Sequence, residues 1–200
     1  VAGSEYAAVT IHLAEGTYSP STNGETFPIE MISHINLIGQ GEEVTVLDAE
    51  QTARVIFIKN SVNSTISNLT ITGGLETYGG GMLLFKSNPI LNNLTISKNT
   101  AVSSGGGILL QESNPTLTNI TISGNRANAH GGGIYLLQES NPTFSNMIIS
   151  ENIADSLGGG IVLQKSNPNL SNVIISGNTA NIYGGGIFFI QSNPNLSNMT

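Results

Sequence analysis

The chain has 200 residues, enough for one domain or one continuous array of repeats with a sizeable buried core. Its net charge is −7 with only six Lys and Arg residues, which argues against binding to nucleic acid, a ligand that needs a basic surface. No apolar run approaches the roughly 18–20 residues of a membrane span, and the absence of Cys excludes disulfides and thiolate metal sites.

The first 67 residues show little internal repetition, in contrast to the rest of the chain. A stack of parallel strands has an open end with an unpaired strand edge, and this edge has to be shielded. We therefore predict that residues 1–67 form the first coils of the fold and help to cap it.

From residue 68 onward the sequence repeats with a period of about 26 residues. Four columns of equivalent residues define the repeat. Two columns are the first glycine of a Gly-Gly-Gly triplet (Gly79, Gly105, Gly131, Gly158, Gly184) and the proline of a Ser-Asn-Pro turn (Pro89, Pro115, Pro142, Pro168, Pro194). The third is an asparagine between two apolar stretches (Asn68, Asn93, Asn119, Asn146, Asn172, Asn198). The fourth is an asparagine followed two residues later by Ala (Asn99, Asn125, Asn152, Asn178). We place the one extra residue of the 27-residue interval within Tyr135-Leu136-Leu137, as a bulge. Residues 68–200 are predicted to be regular coils of the same continuous domain, and because Thr200 falls inside a repeat, we expect further coils beyond it.

Each repeat has the local pattern of short strands separated by turns. The Ser-Asn-Pro triplets are turn signals, the apolar stretches alternate with period 2, and no segment shows a sustained helical period of 3.6. A unit of this kind predicts one coil of a parallel β-solenoid, in which coils stacked about 4.8 Å apart share hydrogen bonds and bury one another's inner faces.

The solenoid hypothesis predicts which side chains point inward. The inward columns are Leu69, Leu94, Ile120, Met147 and Val173; Ile71, Ile96, Ile122, Ile149 and Ile175; Met82, Ile108, Ile134, Ile161 and Ile187; and Leu91, Leu117, Phe144, Leu170 and Leu196. The column from Asn68 to Asn198 is predicted to stack as a ladder of side-chain amides at a bend. Three of these asparagines, Asn68, Asn93 and Asn119, match the glycosylation sequon, but their packing in a ladder makes them poor acceptors.

These repeats resemble the right-handed parallel β-helix superfamily that includes the pectate lyases. More closely, the GGGI and N-x-A motifs resemble repeats of bacterial cell-surface proteins and of chlamydial polymorphic outer-membrane proteins. Residues 10–18 (TIHLAEGTY) and 35–49 (INLIGQGEEVTVLDA) look like the N-terminal coils of such helices. The resemblance implies an all-β, right-handed, single-stranded parallel β-helix with three sheets, and a secreted or surface-displayed bacterial protein; this superfold hosts enzymes, adhesins and passive stalks alike.

Carboxylates that could support catalysis are sparse in the repeats. Glu112 and Glu139 share a column with Lys86, Lys165 and Gln191, which we call the charged column. A solvated ladder of opposite charges accounts for this column better than an acid and base pair. A polysaccharide lyase or glycoside hydrolase of the pectate-lyase type stays open as the alternative.

Other polar clusters favour structural interpretations. His130, Ser104 and Asp155 can be drawn as a catalytic triad, but His130 belongs to a variable turn column of Tyr78, Ser104, His130, Leu157 and Tyr183. Asp48, Glu50 and Arg54 are interpreted as an ordinary turn, and His12 and His34 have no metal-ligand spacing. The glycine triplets lack the Lys-Ser/Thr of a phosphate loop and the Asp of a calcium repeat. We expect no metal site and no cofactor.

The strand after each glycine triplet has more apolar residues than the core of a coil requires. Because side chains alternate between the two faces of a strand, an apolar stripe is predicted on the outer face of the solenoid. It is formed by Leu83, Leu109, Tyr135, Val162 and Phe188, with Phe85 and Ile190 beside it. Ile148 and Ile174 likewise replace outward Thr in another strand. Exposed apolar patches mark contacts, and aromatic side chains on a flat sheet stack on sugar rings or dock proteins. The sequence therefore favours a non-catalytic domain that acts as adhesin, glycan-binding module or spacer, with a polysaccharide or another surface protein as partner.

Overall fold

The computed structural model describes residues 7–200 and contains one short helix and 22 strands. In chain order these are β1 (Val9–His12), β2 (Gly16–Tyr18), α1 (Pro20–Asn23), β3 (Ile29–Met31), β4 (Ile35–Ile38), β5 (Thr45–Asp48), β6 (Ile56–Lys59), β7 (Thr65–Thr72), β8 (Leu75–Tyr78), β9 (Met82–Phe85), β10 (Ile90–Ser97), β11 (Thr100–Ser104), β12 (Ile108–Gln111), β13 (Thr116–Ser123), β14 (Arg126–Ala127), β15 (Ile134–Leu137), β16 (Thr143–Ser150), β17 (Ile153–Ala154), β18 (Ile161–Gln164), β19 (Asn169–Ser176), β20 (Thr179–Ala180), β21 (Ile187–Ile190) and β22 (Asn195–Met199). Residues 1–6 of the predicted N-terminal coils lie outside the described residues.

The strands form three parallel sheets that together make the predicted β-solenoid of about seven turns. The first sheet contains β1, β2, β4, β5, β7, β10, β13, β16, β19 and β22; the second contains β3, β6, β9, β12, β15, β18 and β21; and the third contains β8, β11, β14, β17 and β20. From β7 onward the chain visits the first, third and second sheets in turn. Each circuit takes about 26 residues, as in the pairing of Ile108 with Ile134.

The predicted inward columns form one continuous core. All four columns are fully buried through most of the array, from Leu69, Ile71, Met82 and Leu91 to Val173. Ile175, Ile187 and Leu196, in the last described coils, are more exposed than their equivalents. The register of the strands therefore follows the alternation of the sequence.

The column from Asn68 to Asn198 forms the predicted ladder, which we call the outer asparagine ladder. Each Nδ2 donates to the Oδ1 one coil earlier, over distances of 2.9 to 3.2 Å. All its members adopt the left-handed conformation, with φ between 49° and 58°. Asn tolerates this conformation better than most residues, so it suits the sharp bend within the long strands of the first sheet.

The second asparagine column forms another ladder, inside the molecule, which we call the inner asparagine ladder. Asn99, Asn125 and Asn152 are fully buried. The Asn125 Nδ2 donates to Ile96 O at 2.9 Å and to Asn152 Oδ1 at 3.0 Å, while its Oδ1 accepts from the backbone and side chain of Asn99. These bonds satisfy polar groups of adjoining turns that would otherwise be buried without partners.

The glycine triplets turn the chain from the third sheet into the second. Gly105 has a φ of +72°, which strains any residue with a side chain. At Gly106 a Cβ atom would lie 2.4 Å from the carbonyl oxygens of both Arg126 and Gly132. The triplet is therefore needed because stacked corners approach each other closely.

The predicted position of the extra residue is wrong. Tyr135, Leu136 and Leu137 pair without interruption with Val162, Leu163 and Gln164. The insertion lies instead at Gln138 and Glu139, which both have positive φ where other coils have a single left-handed residue. A turn absorbs the added residue because its backbone is free of the strand register.

Candidate functional site

The apolar stripe stacks on the outer side of the second sheet. The register aligns Leu83 with Leu109, Leu109 with Tyr135, Tyr135 with Val162 and Val162 with Phe188. The neighbouring column contains Phe85 and Ile190, as predicted, together with Gln111, Leu137 and Gln164.

The stripe is less exposed than the sequence predicts, and that expectation is corrected here. Leu109, Tyr135 and Val162 expose only 3%, 9% and 0% of their surface, while Leu83 and Phe188 are half-buried. The stripe forms a second hydrophobic cluster, outside the main core, because residues of the turn column fold down onto it. Phe85 is also half-buried, with the Lys86 ammonium 5.2 Å from its ring centre. Binding by these six residues stays a prediction.

The turn column forms a wall beside the stripe, and its larger members contact stripe residues. Leu157 packs against the cluster of Leu109, Tyr135 and Val162. The His130 ring meets the Tyr135 ring edge-on, with centroids 6.2 Å apart. In the last coil Tyr183 stacks on Phe188.

The wall is open where its residue is small. Ser104 occupies the turn column between Tyr78 and His130, and it leaves a pocket of about 390 Å³ over the stripe. The pocket is lined by Tyr78, Leu83, Ser103, Ser104, Leu109, Gln111, His130, Tyr135 and Leu137. It therefore combines an apolar floor with aromatic rings and with hydroxyl and amide groups, the composition of a small-ligand site.

The polar groups of the pocket are only partly engaged by the protein. Tyr135 donates its hydroxyl hydrogen to Gln164 Oε1, and the Gln111 Nε2 donates to Gln138 Oε1 at 2.5 Å. The Ser103 and Ser104 hydroxyls lie 3.4 Å apart. Among the described residues, the buried Nδ1 of His130 has no hydrogen-bond partner.

Burial shifts the pKa values of two residues that line the pocket, His130 and Tyr135. It lowers the pKa of His130, because the imidazolium would be poorly solvated. It also raises the pKa of Tyr135, and the nearby Tyr78 phenol adds to this shift. Both shifts favour the uncharged forms of these two side chains.

The paired-carboxylate alternative finds little support in the geometry. Glu112 lies 3.4 Å from the Lys86 ammonium, and both side chains are about half exposed. Glu112, Gln138, Glu139 and Lys165 surround a second pocket of about 390 Å³ at the left-handed corner of the coil. Two acids flanked by two lysines at a solvated corner agree with the interpretation of the charged column as a solvated ladder of opposite charges, with one ion pair between Lys86 and Glu112.

The suspected triad does not assemble. Asp155 accepts two hydrogen bonds from the Arg126 guanidinium, at 2.7 and 2.9 Å. His130 instead aligns with Leu157 on the adjacent coil. Ser104 and His130 are thus parts of the pocket wall, without a carboxylate to orient the imidazole.

The cluster of Asp48, Glu50 and Arg54 is divided among structural contacts. Glu50 accepts hydrogen bonds from Ser21 and Ser19, and these bonds lower the pKa of its carboxyl group. Arg54 donates to the carbonyl oxygens of Tyr78 and Gly79. These contacts fasten the first coils together and leave no shared site.

Residues 7–200 contain neither a candidate metal cluster nor a candidate membrane-spanning helix. No group of three or more His, Cys, Asp or Glu residues in this part of the chain is arranged to hold a metal ion. Over the same residues, no helix has the length and apolar character needed to cross a membrane.

Sequence reasoning named the floor of the pocket but missed the pocket itself. Ser103, Gln111 and Leu137 were not singled out, and the turn column was interpreted as an exposed, variable turn. The available signal was a small residue, Ser104, between two rings in a column that runs beside an apolar stripe.

Comparisons with known proteins concern the whole array. A family model described as "Right handed beta helix region" matches residues 54–200. A pectin methylesterase from Yersinia enterocolitica is similar in structure, with 12% identity and a TM-score of 0.47 over 94% of this chain and 85% of that one. The A-module of the mannuronan C-5 epimerase AlgE6 from Azotobacter vinelandii has 13% identity and a TM-score of 0.29, over 96% of this chain and 90% of that one. ORF18 of Geobacillus virus E2 has 11% identity and a TM-score of 0.29, over 95% of this chain and 54% of that one. No curated protein matches the chain in sequence.

Proposed function

We propose that this chain, which belongs to the right-handed β-helix family, is a non-catalytic module that binds a glycan on the outer face of its second sheet. The binding site is the pocket between Tyr78 and His130, with the stripe as its floor. As part of the same proposal, the module is displayed on a bacterial cell surface or secreted, where it acts as an adhesin.

The observation that carries the proposal is the composition of the pocket. Leu83 and Leu109 form an apolar floor, and the Tyr135 ring lies beside them. Sugar rings have apolar C–H faces that pack on aromatic and aliphatic surfaces, while their hydroxyls need polar partners at the rim. Ser103 and Gln111 are at that rim.

Binding without catalysis is favoured by the acids of the repeats. Glu112 is paired with Lys86, and Asp155 is paired with Arg126. Among the described residues that line the pocket there is no carboxylate, so general acid or base catalysis lacks its usual group there. A rigid solenoid around this site also serves as a spacer, because its length grows by one coil spacing per repeat.

The sharpest test fills the pocket with a residue that the chain itself uses. Ser104→Leu places in the open coil the residue that Leu157 provides two coils later in the same column. The control is Thr121→Ile, a smaller polar-to-apolar enlargement in the first sheet, where Ile148 occupies the same column. Binding of a panel of neutral and acidic oligosaccharides is measured by titration calorimetry for the three proteins.

The expected result is that wild type and Thr121→Ile bind the same oligosaccharide, whereas Ser104→Leu binds it about tenfold more weakly or not at all, because its side chain occupies the ligand volume. Equal binding by Ser104→Leu, with its β-sheet circular dichroism preserved, would remove the pocket from the proposal. Release of reducing or unsaturated products by the wild type would contradict the non-catalytic assignment.

A further inference from the structure

We infer that the pocket selects uncharged sugar residues and rejects uronates. The inference rests on the proposed glycan-binding function and names the ligand class of that same site. It is carried by the charges around the pocket rather than by its shape.

No residue that lines the pocket, among those that the structure describes, carries a full positive charge near neutral pH. The residues are Tyr, Leu, Ser and Gln side chains together with His130, whose imidazole is partly buried. The chain as a whole has a net charge of −7, which adds repulsion toward an acidic glycan.

Three cations, Arg54, Lys86 and Arg126, are already engaged by other groups of the protein. Arg54 donates to Tyr78 O at 2.7 Å and to Gly79 O at 2.9 Å, and its guanidinium lies 5.3 Å from the Phe57 ring centre. Lys86 lies beside Glu112, and Arg126 is bound in a two-bond contact by Asp155. None of these three side chains is therefore free to neutralise a carboxylate placed over Leu109.

The cost of an unpaired carboxylate in this pocket follows from its floor. Leu83, Leu109 and Leu137 cannot solvate a charge, and transfer of an unpaired ion from water to such a surface is strongly unfavourable. A neutral hydroxymethyl group in the same place loses little, because its carbon packs on the floor and its hydroxyl reaches the rim.

The polar rim fits the hydroxyls of a neutral sugar. Ser103 and Ser104 each offer a hydroxyl that both donates and accepts, and their mutual contact of 3.4 Å is long enough to be exchanged for a ligand bond. The Gln111 amide adds an oxygen on the opposite side of the pocket, since its nitrogen is used by Gln138.

The test compares matched sugars that differ only at C6, which carries a neutral hydroxymethyl group in one and a carboxylate in the other. Oligosaccharides of glucose, galactose and mannose, and the corresponding oligouronates of the same linkage, are titrated into the wild type by calorimetry at neutral pH. At least one neutral oligosaccharide is expected to bind, and its uronate is expected to bind about tenfold more weakly or less.

A variant that gains uronate binding would show that missing positive charge is the reason why the wild-type pocket rejects uronates. Gln111→Lys introduces a cation at the rim of the pocket and is expected to strengthen uronate binding about tenfold. The control is Gln191→Lys, which makes the same change in net charge in a column where the chain already has Lys86 and Lys165. It is expected to leave the preference for neutral sugar unchanged.

The outcomes separate the two proposals. Uronate binding by the wild type as tight as that of the neutral sugar would overturn this inference and leave the glycan-binding function standing. A uronate affinity that Gln111→Lys does not raise, in a protein with an intact β-sheet spectrum, would also overturn it. Should Gln111→Lys fail to fold, the wild-type comparison of each sugar pair decides alone. Absence of binding by every sugar in the panel would overturn the glycan-binding function, and this inference with it.

Discussion

The inner and outer faces of the second sheet differ in how uniform their side chains are, although both faces are formed by the same strands. In β12, Ile108 and Leu110 point into the core and Leu109 points outward, yet all three are buried. The inward positions are occupied by aliphatic residues from β9 to β18, and Phe189 takes one of them in β21. The outward stripe changes from Leu to Tyr, Val and Phe along the array.

This difference shows that burial has two origins in the molecule. An inward side chain is enclosed by the sheets and by the coils on either side, so its environment is similar in every repeat that has a coil on both sides. An outward side chain is buried by its neighbours in the stripe and the adjoining column and by turn-column residues, such as Leu157. The outer side is therefore free to vary, and it is where the pocket is found.

The largest expected effect is in the core. Leu110→Ala removes a fully buried side chain from a packed interior, and we expect the free energy of unfolding to fall by about 3–5 kcal/mol. Urea denaturation followed by circular dichroism measures the change. A loss below about 1 kcal/mol would mean that the coils collapse around the cavity, contrary to a rigid interior.

The inner asparagine ladder gives the next effect. Asn125→Ala leaves the Asn99 N–H and the Ile96 carbonyl group without their buried partners, and we expect a loss of about 3 kcal/mol in the free energy of unfolding. The control is Asn119→Gly in the outer ladder, which keeps the left-handed conformation and removes an exposed amide. It is expected to lose about 1 kcal/mol or less. Equal losses in urea denaturation would contradict the distinction between the two ladders.

Truncation of the stripe is expected to cost less than truncation of the core. Leu109→Ala removes a side chain that is 97% buried but borders the open pocket, so solvent enters the space and no empty cavity remains. We expect a loss of about 2 kcal/mol, compared with Leu110→Ala in the same denaturation experiment. A loss as large as that of Leu110→Ala would show that the outer cluster is a second core rather than a covered surface.

The sequence predicted the repeated parts of the fold because each is fixed locally. The alternation of apolar and polar residues along each strand determines which columns point inward. Asn tolerates the left-handed backbone conformation, which suits the bend at Asn68 and its equivalents. The extra residue was misplaced because the letters from Tyr135 to Glu139 allow several alignments. Only the positive φ of Gln138 and Glu139 identifies the turn as its position.

The pocket could not be predicted from the sequence, because it depends on distances between coils. Its lining extends from Tyr78 to Leu137, and the turn at Gly105 decides that Ser104 lies beside Leu109. Alternation predicts that Leu109 points outward, but it carries no information about what lies above an outward side chain. The sequence could therefore predict that the side chains of the stripe point outward, but it could not predict that other residues bury them.

The smallest effect is expected in the charged column. Glu112→Gln removes a charge that is 3.4 Å from Lys86 and about half exposed, so the free energy of unfolding should change by about 0.5 kcal/mol or less. Sugar binding at the pocket should be unchanged, because Glu112 is not among its lining residues. Both quantities follow from urea denaturation and calorimetry of the same variant. If the wild type cleaved a polyuronate and Glu112→Gln did not, the charged column would be an active site, and the outer side of the second sheet would hold catalysis at its edge instead of binding over its centre.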